Sequence, residues 1–215
     1  MKFFLLALLS LSSAPKAFAL AEGTGLKFSA AADFVGNVIS KNETSHPRRF
    51  DLREAEFGVY GPIDHGFEGA LFFAAHNENG AYNLEVHEAY FTNNSLVPYT
   101  RLKAGKFFLG VGRLNQLHRH DWPFITAPKS HETYFDEEAA ADTGLQAAIL
   151  LPFLPIFSEI TLGATNGWTF GHSHNQGQKP IQPTHYGRLA NFFTISENGG
   201  LQTGLNYVGR NARND

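Results

Sequence analysis

The chain has 215 residues, of which 43% are hydrophobic, and it contains 21 glycines, 20 phenylalanines and no cysteine. Because no disulfide can form, stability must come from strand pairing and burial. A formal net charge of −3 gives no strong basic field, which argues against nucleic acid as a partner.

The N-terminus has the three parts of a secretory signal peptide. Lys2 supplies a positive charge, residues 3–11 form an apolar run, and Ala17 and Ala19 fit an A-x-A cleavage site. The apolar run is far shorter than the roughly 20 residues that a membrane-spanning helix needs. We predict a signal peptide at 1–19 and one mature, exported domain at 20–215.

Period-two alternation of apolar and polar residues dominates the mature chain and predicts strands, with no helix. In the first strand Leu26 and Phe28 fall on one face and Lys27 falls on the other. Glu88 breaks the apolar face of the fourth strand. The nine predicted strands cover residues 26–34, 53–60, 67–76, 83–91, 100–108, 143–151, 158–166, 187–195 and 201–208.

The connections between these strands are sorted by length. The even-numbered ones are short and rich in Gly, Pro and Asn, whereas every long one, including the longest at about 110–141, has an odd number. An up-and-down meander sends odd and even connections to opposite ends, and outer-membrane barrels have short turns at one end and long loops at the other. The sequence therefore predicts an antiparallel up-and-down transmembrane β-barrel. A soluble β-sandwich is the alternative.

Nine strands are an odd number, whereas single-chain bacterial barrels have an even one. The mature chain has about 22 residues per strand, so a 16-stranded barrel would need roughly 350 residues. We therefore expect an N-terminal fragment of a larger barrel of about 16 strands. The alternative is a homo-oligomer in which strands from several chains close one barrel.

Several segments occur together in one order: Phe50–Gly58, Leu102–Phe107 continuing to Gly112–Asn115, His118–His120 followed by Pro123 and Phe124, and Asp142–Gly144. In this order they resemble porin-like outer-membrane proteins of Gram-negative bacteria, loosely akin to the phosphate-selective porins. The resemblance covers about residues 50–151. It implies a barrel in the lipid bilayer of the outer membrane that lets small hydrophilic solutes or ions diffuse through.

The longest loop carries most of the candidate site residues. The resemblance implies that this loop folds into the lumen and narrows the pore. A cationic group followed by an acidic one would set a transverse field, and charged rings often govern pore selectivity. An ordinary solvated loop is the alternative. The candidates are Arg113, His118, Arg119, His120, Asp121, His131, Glu132, Asp136, Glu137 and Glu138.

A second set of charged residues falls on the polar faces of the predicted strands. Both signs are present, which is typical of a general aqueous channel wall and not of a dedicated anion path. The solvated face of a soluble sheet would carry the same residues. The predicted lumen-facing residues are Lys27, Glu54, Glu56, Glu68, Glu85, Arg101, Lys103, Glu159 and Arg188.

Histidine-rich loops offer candidate ligands for zinc, and the sequence does not decide whether they form a site. The candidate ligands lie in His118-x-His120-Asp121, in His131-Glu132, and in His172-x-His174 with His185. Zinc prefers such ligands, usually four in a tetrahedron. Since no four-ligand spacing is fixed, the sequence assigns no metal ligand and no cofactor.

The alternative function is accordingly a non-conducting outer-membrane protein whose loops bind metal or a partner. Enzymatic function is not predicted, because the sequence has no G-x-S-x-G elbow, no H-E-x-x-H helix and no phosphate loop.

Overall fold

The computed structural model describes residues 25–36, 50–78, 80–135, 138–167 and 183–210, so the predicted signal peptide lies outside the described residues. One antiparallel sheet contains all nine strands in chain order, without a crossover. The strands are β1 (Lys27–Val35), β2 (Asp51–Asp64), β3 (Phe67–Glu78), β4 (Ala81–Val97), β5 (Thr100–Phe108), β6 (Ala141–Leu150), β7 (Phe157–Thr165), β8 (Thr184–Ser196) and β9 (Gly199–Arg210).

The predicted all-β meander is confirmed, with all nine strands in the predicted order. Most strands are longer than predicted, and β4 extends to 17 residues. β3 ends at Glu78 and β4 begins at Ala81, and Gly80, just before β4, has a φ of +93°. Glycine adopts this left-handed conformation without the steric cost that a side chain brings.

The two faces of the sheet show an inverted distribution of polar and apolar residues. Glu54, Thr161 and Thr184 are buried, whereas Leu145 is 66% exposed and Leu205 is 75% exposed. Soluble sheets bury their apolar side chains instead. We call the face with the buried polar residues the covered face, and the opposite one the outer face.

Residues 109–140, here called the long loop, connect β5 to β6, and the described part of this loop packs on the covered face. At its base Leu109, Val111 and Ala140 are fully buried. The Asn115 amide donates to the carbonyls of Leu109 (2.9 Å) and Ala140 (3.2 Å) and accepts from the Ala140 N–H at 2.6 Å. This side chain satisfies backbone groups that have left the strand ladder.

The prediction that the mature chain has no helix is wrong for the long loop. It contains the 3-10 turns Leu114–Gln116 and Arg119–Asp121 and a short helix, α1 (Lys129–Phe135). None of the helices in the described ranges is long and apolar enough to cross a membrane.

A β-bulge changes the faces of β4. Phe73 pairs with Val86 but Phe72 pairs with Glu88, so His87 has no residue opposite it on β3. Such an extra residue shifts the alternation of the strand that carries it. His87 and Glu88 are consequently both buried on the covered face, which explains why Glu88 breaks the alternation in the sequence.

Candidate functional site

A group of ionisable side chains meets between the covered face and the long loop. Five carboxylates face four imidazoles and one guanidinium there. We call this group the loop–sheet cluster; its members are Glu54 and Glu56 of β2, His76 of β3, Glu85, His87 and Glu88 of β4, and His118, Arg119, His120 and Glu138 of the long loop.

Glu56 lies at the centre of the cluster. Its carboxylate is 2.6 Å from His118 Nδ1, 3.2 Å from His120 Nε2 and 3.1 Å from His87 Nδ1. A buried carboxylate is costly unless it is paired, and here three imidazoles surround it. Two of these rings come from the long loop, so Glu56 fastens the loop to the sheet.

His118 lies between two carboxylates. Its Nε2 is 3.3 Å from Glu88 Oε2, while its ring packs on Phe72 and Phe108 at centroid distances of 5.0 and 4.8 Å. Burial disfavours the charged imidazole, but the carboxylates of Glu56 and Glu88 outweigh it and raise the pKa of His118 well above its usual range. The ring is therefore positively charged at neutral pH.

His120 is held in a similar way. A hydrogen bond with Glu56 outweighs burial and raises the pKa of His120, with a smaller contribution from the Asp121 carboxylate. Asp121 itself is exposed and lies 3.4 Å from the His120 ring.

A second part of the cluster connects β3 and β4 to the end of the long loop. His76 Nε2 and His87 Nε2 are 2.7 Å apart, and His76 Nδ1 lies 3.0 Å from Glu138 Oε1. Burial opposes the charge of Glu138, but His76, His87 and Arg119 outweigh it, so the pKa of this carboxyl lies below its usual value. Glu138 is thus a partly buried anion.

Glu54 is the cluster carboxylate whose burial is least offset by polar contacts. Its side chain is 1% exposed, and within the described part of the chain neither carboxylate oxygen has a hydrogen-bond partner. His76 Nδ1 lies 3.9 Å away.

Donor atoms in the cluster lie close enough to surround a metal ion. In each of three overlapping sets, one nitrogen or oxygen per residue lies within 4.8 Å of the others. The sets are His76, Glu85, His87 and Glu138; Glu56, His118 and His120; and Glu54, Glu56 and His87.

The structure brings together only part of the predicted loop residues. His118, Arg119, His120 and Glu138 join the cluster, where Arg119 lies 3.7 Å from Glu138. The cationic and acidic ends of the loop therefore meet here instead of lying on opposite sides. Asp136 and Glu137 lie outside the described residues.

Other loop residues have separate partners. His131 is buried against Trp122, and its Nε2 donates to the Glu138 carbonyl oxygen of the same loop at 2.9 Å. Glu132 binds Lys129 at 2.8 Å. The predicted His131-Glu132 ligand pair is therefore separated into two local contacts, and His172 and His174 lie outside the described residues. His185 is exposed beside Tyr207.

Arg113 lines an open groove between the start of the long loop and β8 and β9. Arg188, Gln202 and Asn206 line it as well. The groove is held by Arg188, which donates to Gln116 Oε1 at 3.2 Å, and by Asn206, which accepts from the Gly112 N–H at 2.8 Å.

The remaining strand charges lie apart from the cluster. Lys103 lies 4.1 Å from the centre of the Tyr90 ring, and Lys27 lies 5.8 Å from that of Tyr60. Glu159 is half-buried, with its Oε1 3.4 Å from the Thr161 hydroxyl. Glu68 and Arg101 are exposed.

Three cluster members, His76, His87 and Glu88, were not among the predicted site residues. His76 and His87 belong to the two strands of one tight hairpin, and that hairpin could have been used to predict that they lie close together. The inward orientation of Glu88 depends on the bulge, for which the sequence contains no clear signal.

Comparison with known proteins adds one relative. No protein-family model matches the chain, and no solved structure matches it. An uncharacterized protein of Aquifex aeolicus (strain VF5) is 28% identical over 175 residues; the match covers 77% of this chain and 36% of that protein. The chain thus spans about a third of the length of its relative, and the resemblance to porin-like proteins stays a prediction.

Proposed function

We propose that the chain is part of an outer-membrane, porin-like β-barrel that lets small hydrophilic solutes or ions diffuse passively. The observation that carries this proposal is the inverted sheet. Its outer face exposes Leu145, Leu162 and Leu205, while Glu54 and Thr161 are buried opposite. Membrane barrels alternate in this way, with apolar side chains towards lipid and polar ones towards the lumen.

The edges of the sheet support a larger barrel. Among the described strands, β1 pairs only with β2 and β9 pairs only with β8. Unpaired backbone groups in lipid cost several kcal/mol each, so a spanning sheet must close. Because the match covers only 36% of the Aquifex relative, a full-length protein of similar size has room for closing strands.

The long loop would then form a constriction inside the lumen. Its base is fixed by Leu109, Val111 and Asn115, and its middle is fixed to Glu56 and Glu88. The groove beside Arg113 and Arg188 is the polar space that this loop leaves open. It offers charged and amide groups of the kind that hydrophilic solutes contact.

A non-conducting binding protein is the second candidate. The observation that favours it is the loop–sheet cluster, which places ionisable side chains between the long loop and the covered face. Under this alternative the loop plugs the lumen and the cluster holds a ligand.

Planar-bilayer recording of the full-length protein tests the proposal. We expect stepwise currents. Their absence from a folded protein would overturn the channel and leave the binding protein. Heat-modifiable migration on gels, which membrane barrels show, checks folding and would be missing from a soluble sandwich.

Single cysteine substitutions can locate the path of ions in the same recordings, because the chain has no cysteine of its own. Gln202→Cys in the groove should make the current sensitive to a charged thiol reagent. Leu205→Cys, on the outer face of the same strand, is the matched control and should not respond. Equal responses from both variants would contradict the proposed path.

A further inference from the structure

We propose that His76, Glu85, His87 and Glu138 form a binding site for a divalent transition-metal ion, of which zinc is the best-fitting probe, and that the bound ion links the long loop to the sheet. This inference goes beyond the proposed channel and does not depend on it.

The four residues supply two imidazole nitrogens and two carboxylate oxygens, all within 4.8 Å of one another. Three of the six separations are 2.7 Å between the two Nε2 atoms, 3.5 Å from His76 Nε2 to Glu85 Oε1 and 3.7 Å from His87 Nε2 to Glu138 Oε2. A tetrahedral zinc ion with bonds of about 2.0–2.1 Å keeps neighbouring ligands about 3.3 Å apart. The observed separations lie on both sides of this value, so small side-chain movements would complete the site.

The contacts of the His76 and His87 rings need more protons than two neutral imidazoles carry. His76 Nδ1 faces Glu138, His87 Nδ1 faces Glu56, and the two Nε2 atoms face each other. Three such contacts need three protons, whereas two neutral imidazoles carry only two. A third proton or a metal ion must therefore lie in this group, and the two cases can be told apart by experiment.

The surroundings of His87 favour the metal. Glu56 Oε2 lies 3.1 Å from His87 Nδ1 and accepts a hydrogen bond from it, which leaves the Nε2 lone pair directed at the site. Metal-binding histidines usually have such a carboxylate on the other ring nitrogen. Imidazole and carboxylate together suit zinc and other first-row divalent ions.

Local charge also favours a cation. The five carboxylates of the loop–sheet cluster outnumber the Arg119 guanidinium and the charged His118 ring. Glu54, buried and without a hydrogen-bond partner in the described ranges, lies directly beside His76. A divalent ion would offset the surplus without requiring every histidine to be protonated.

The arrangement couples the metal to the loop. Three ligands lie on strands β3 and β4, and the fourth, Glu138, lies at the end of the long loop. A bound ion would therefore fix the loop in its docked position. Removal of the ion should free the loop without disturbing the sheet.

Calorimetric titration of the EDTA-treated, full-length protein in detergent with zinc chloride tests the site. We expect one saturable site per chain, with affinity lowered at least about tenfold by Glu85→Gln or Glu138→Gln, since loss of outer-shell partners alone costs 10–100-fold. Glu132→Gln is the matched control, because Glu132 lies in the same loop but binds Lys129. It should leave the affinity unchanged.

Two outcomes would overturn the assignment. The absence of saturable heat at micromolar zinc from a heat-modifiable, folded protein means that the cluster holds an additional proton only. Affinity that survives Glu85→Gln and Glu138→Gln but falls in His120→Gln would move the metal to the set around Glu56 and His118.

A second measurement follows the loop itself. Zinc should slow proteolytic cleavage within residues 109–140 of the wild type but not of Glu138→Gln, in which the link to the loop is lost. Equal protection of both proteins would contradict the coupling. Conductance without zinc binding would overturn the metal site alone, and zinc binding without conductance would overturn the channel alone.

Discussion

His118 Nδ1 of the long loop lies 2.6 Å from Glu56 Oε2 of β2, and its other ring nitrogen lies 3.3 Å from Glu88 on β4. One side chain from the loop thus connects two strands across β3. The side chains of His118 and Glu56 are only 12% and 5% exposed. Removal of one partner would leave the other charge buried with fewer counter-charges.

His118→Ala should therefore weaken loop docking. We expect a loss of roughly 3 kcal/mol, the scale of a broken buried ion pair, measured by denaturant unfolding in detergent and by protease cleavage within the loop. In a double-mutant cycle the Glu56→Gln exchange should cost clearly less when His118 is already absent. Asp121→Asn, an exposed change in the same loop, should stay within about 0.5 kcal/mol. Additive effects would show that the pair does not couple.

Loop docking should also weaken as pH rises. Glu56 and Glu88 face His118, as do the His87 and His120 rings, and the pKa of both His118 and His120 is raised in the folded protein. Stabilisation from a raised histidine pKa is fully present below its ordinary value and disappears as pH rises through the raised one. Protease cleavage of the loop, measured without metal from about pH 6 to about pH 10, should accelerate across that range. A flat profile would contradict this, and His118→Ala should reduce the change.

Gly163 provides a packing test that is independent of charge. It pairs with Tyr186, whose buried ring would overlap with any Cβ at position 163 and whose hydroxyl donates to Gln146 Oε1 at 2.7 Å. Gly163→Ala should destabilise the sheet by about 1–3 kcal/mol, as overpacking does. Gly187→Ala is the matched control, because its nearest neighbour, Leu162 Cδ2, would lie at an ordinary 3.5 Å. Equal unfolding midpoints for the two variants would show that the ring moves aside freely.

The fold could be predicted from the sequence because strand alternation and turn residues are local signals. Leu26 and Lys27 alternate as a two-sided strand requires, and the turn at Gly80 separates two alternating runs. The strand order followed from the short even-numbered connections. The covering of one face by the long loop is not a local property, and period-two patterns do not reveal it.

The candidate site was predictable only in part. Glu54 and Glu56 follow the alternation and were predicted to point inward, whereas Glu88 points inward because of the bulge at His87. The partners of His118 lie on two other strands, which no spacing in the loop reveals. Side-chain clusters built from distant segments depend on register, and one extra residue changes which side chains meet.

Leu162→Arg tests whether the outer face meets lipid. Leu162 is 52% exposed near the middle of β7. Arginine at the bilayer midplane costs about 2–4 kcal/mol in a membrane barrel, but close to zero near the interface. The matched control is Phe153→Arg, which places the same residue in the turn between β6 and β7, where Phe153 is 77% exposed. In lipid vesicles the first variant should unfold at clearly lower denaturant concentration and the second near the wild-type value. If both unfold like the wild type, Leu162 does not lie in the hydrocarbon core, which contradicts the proposed lipid-facing position.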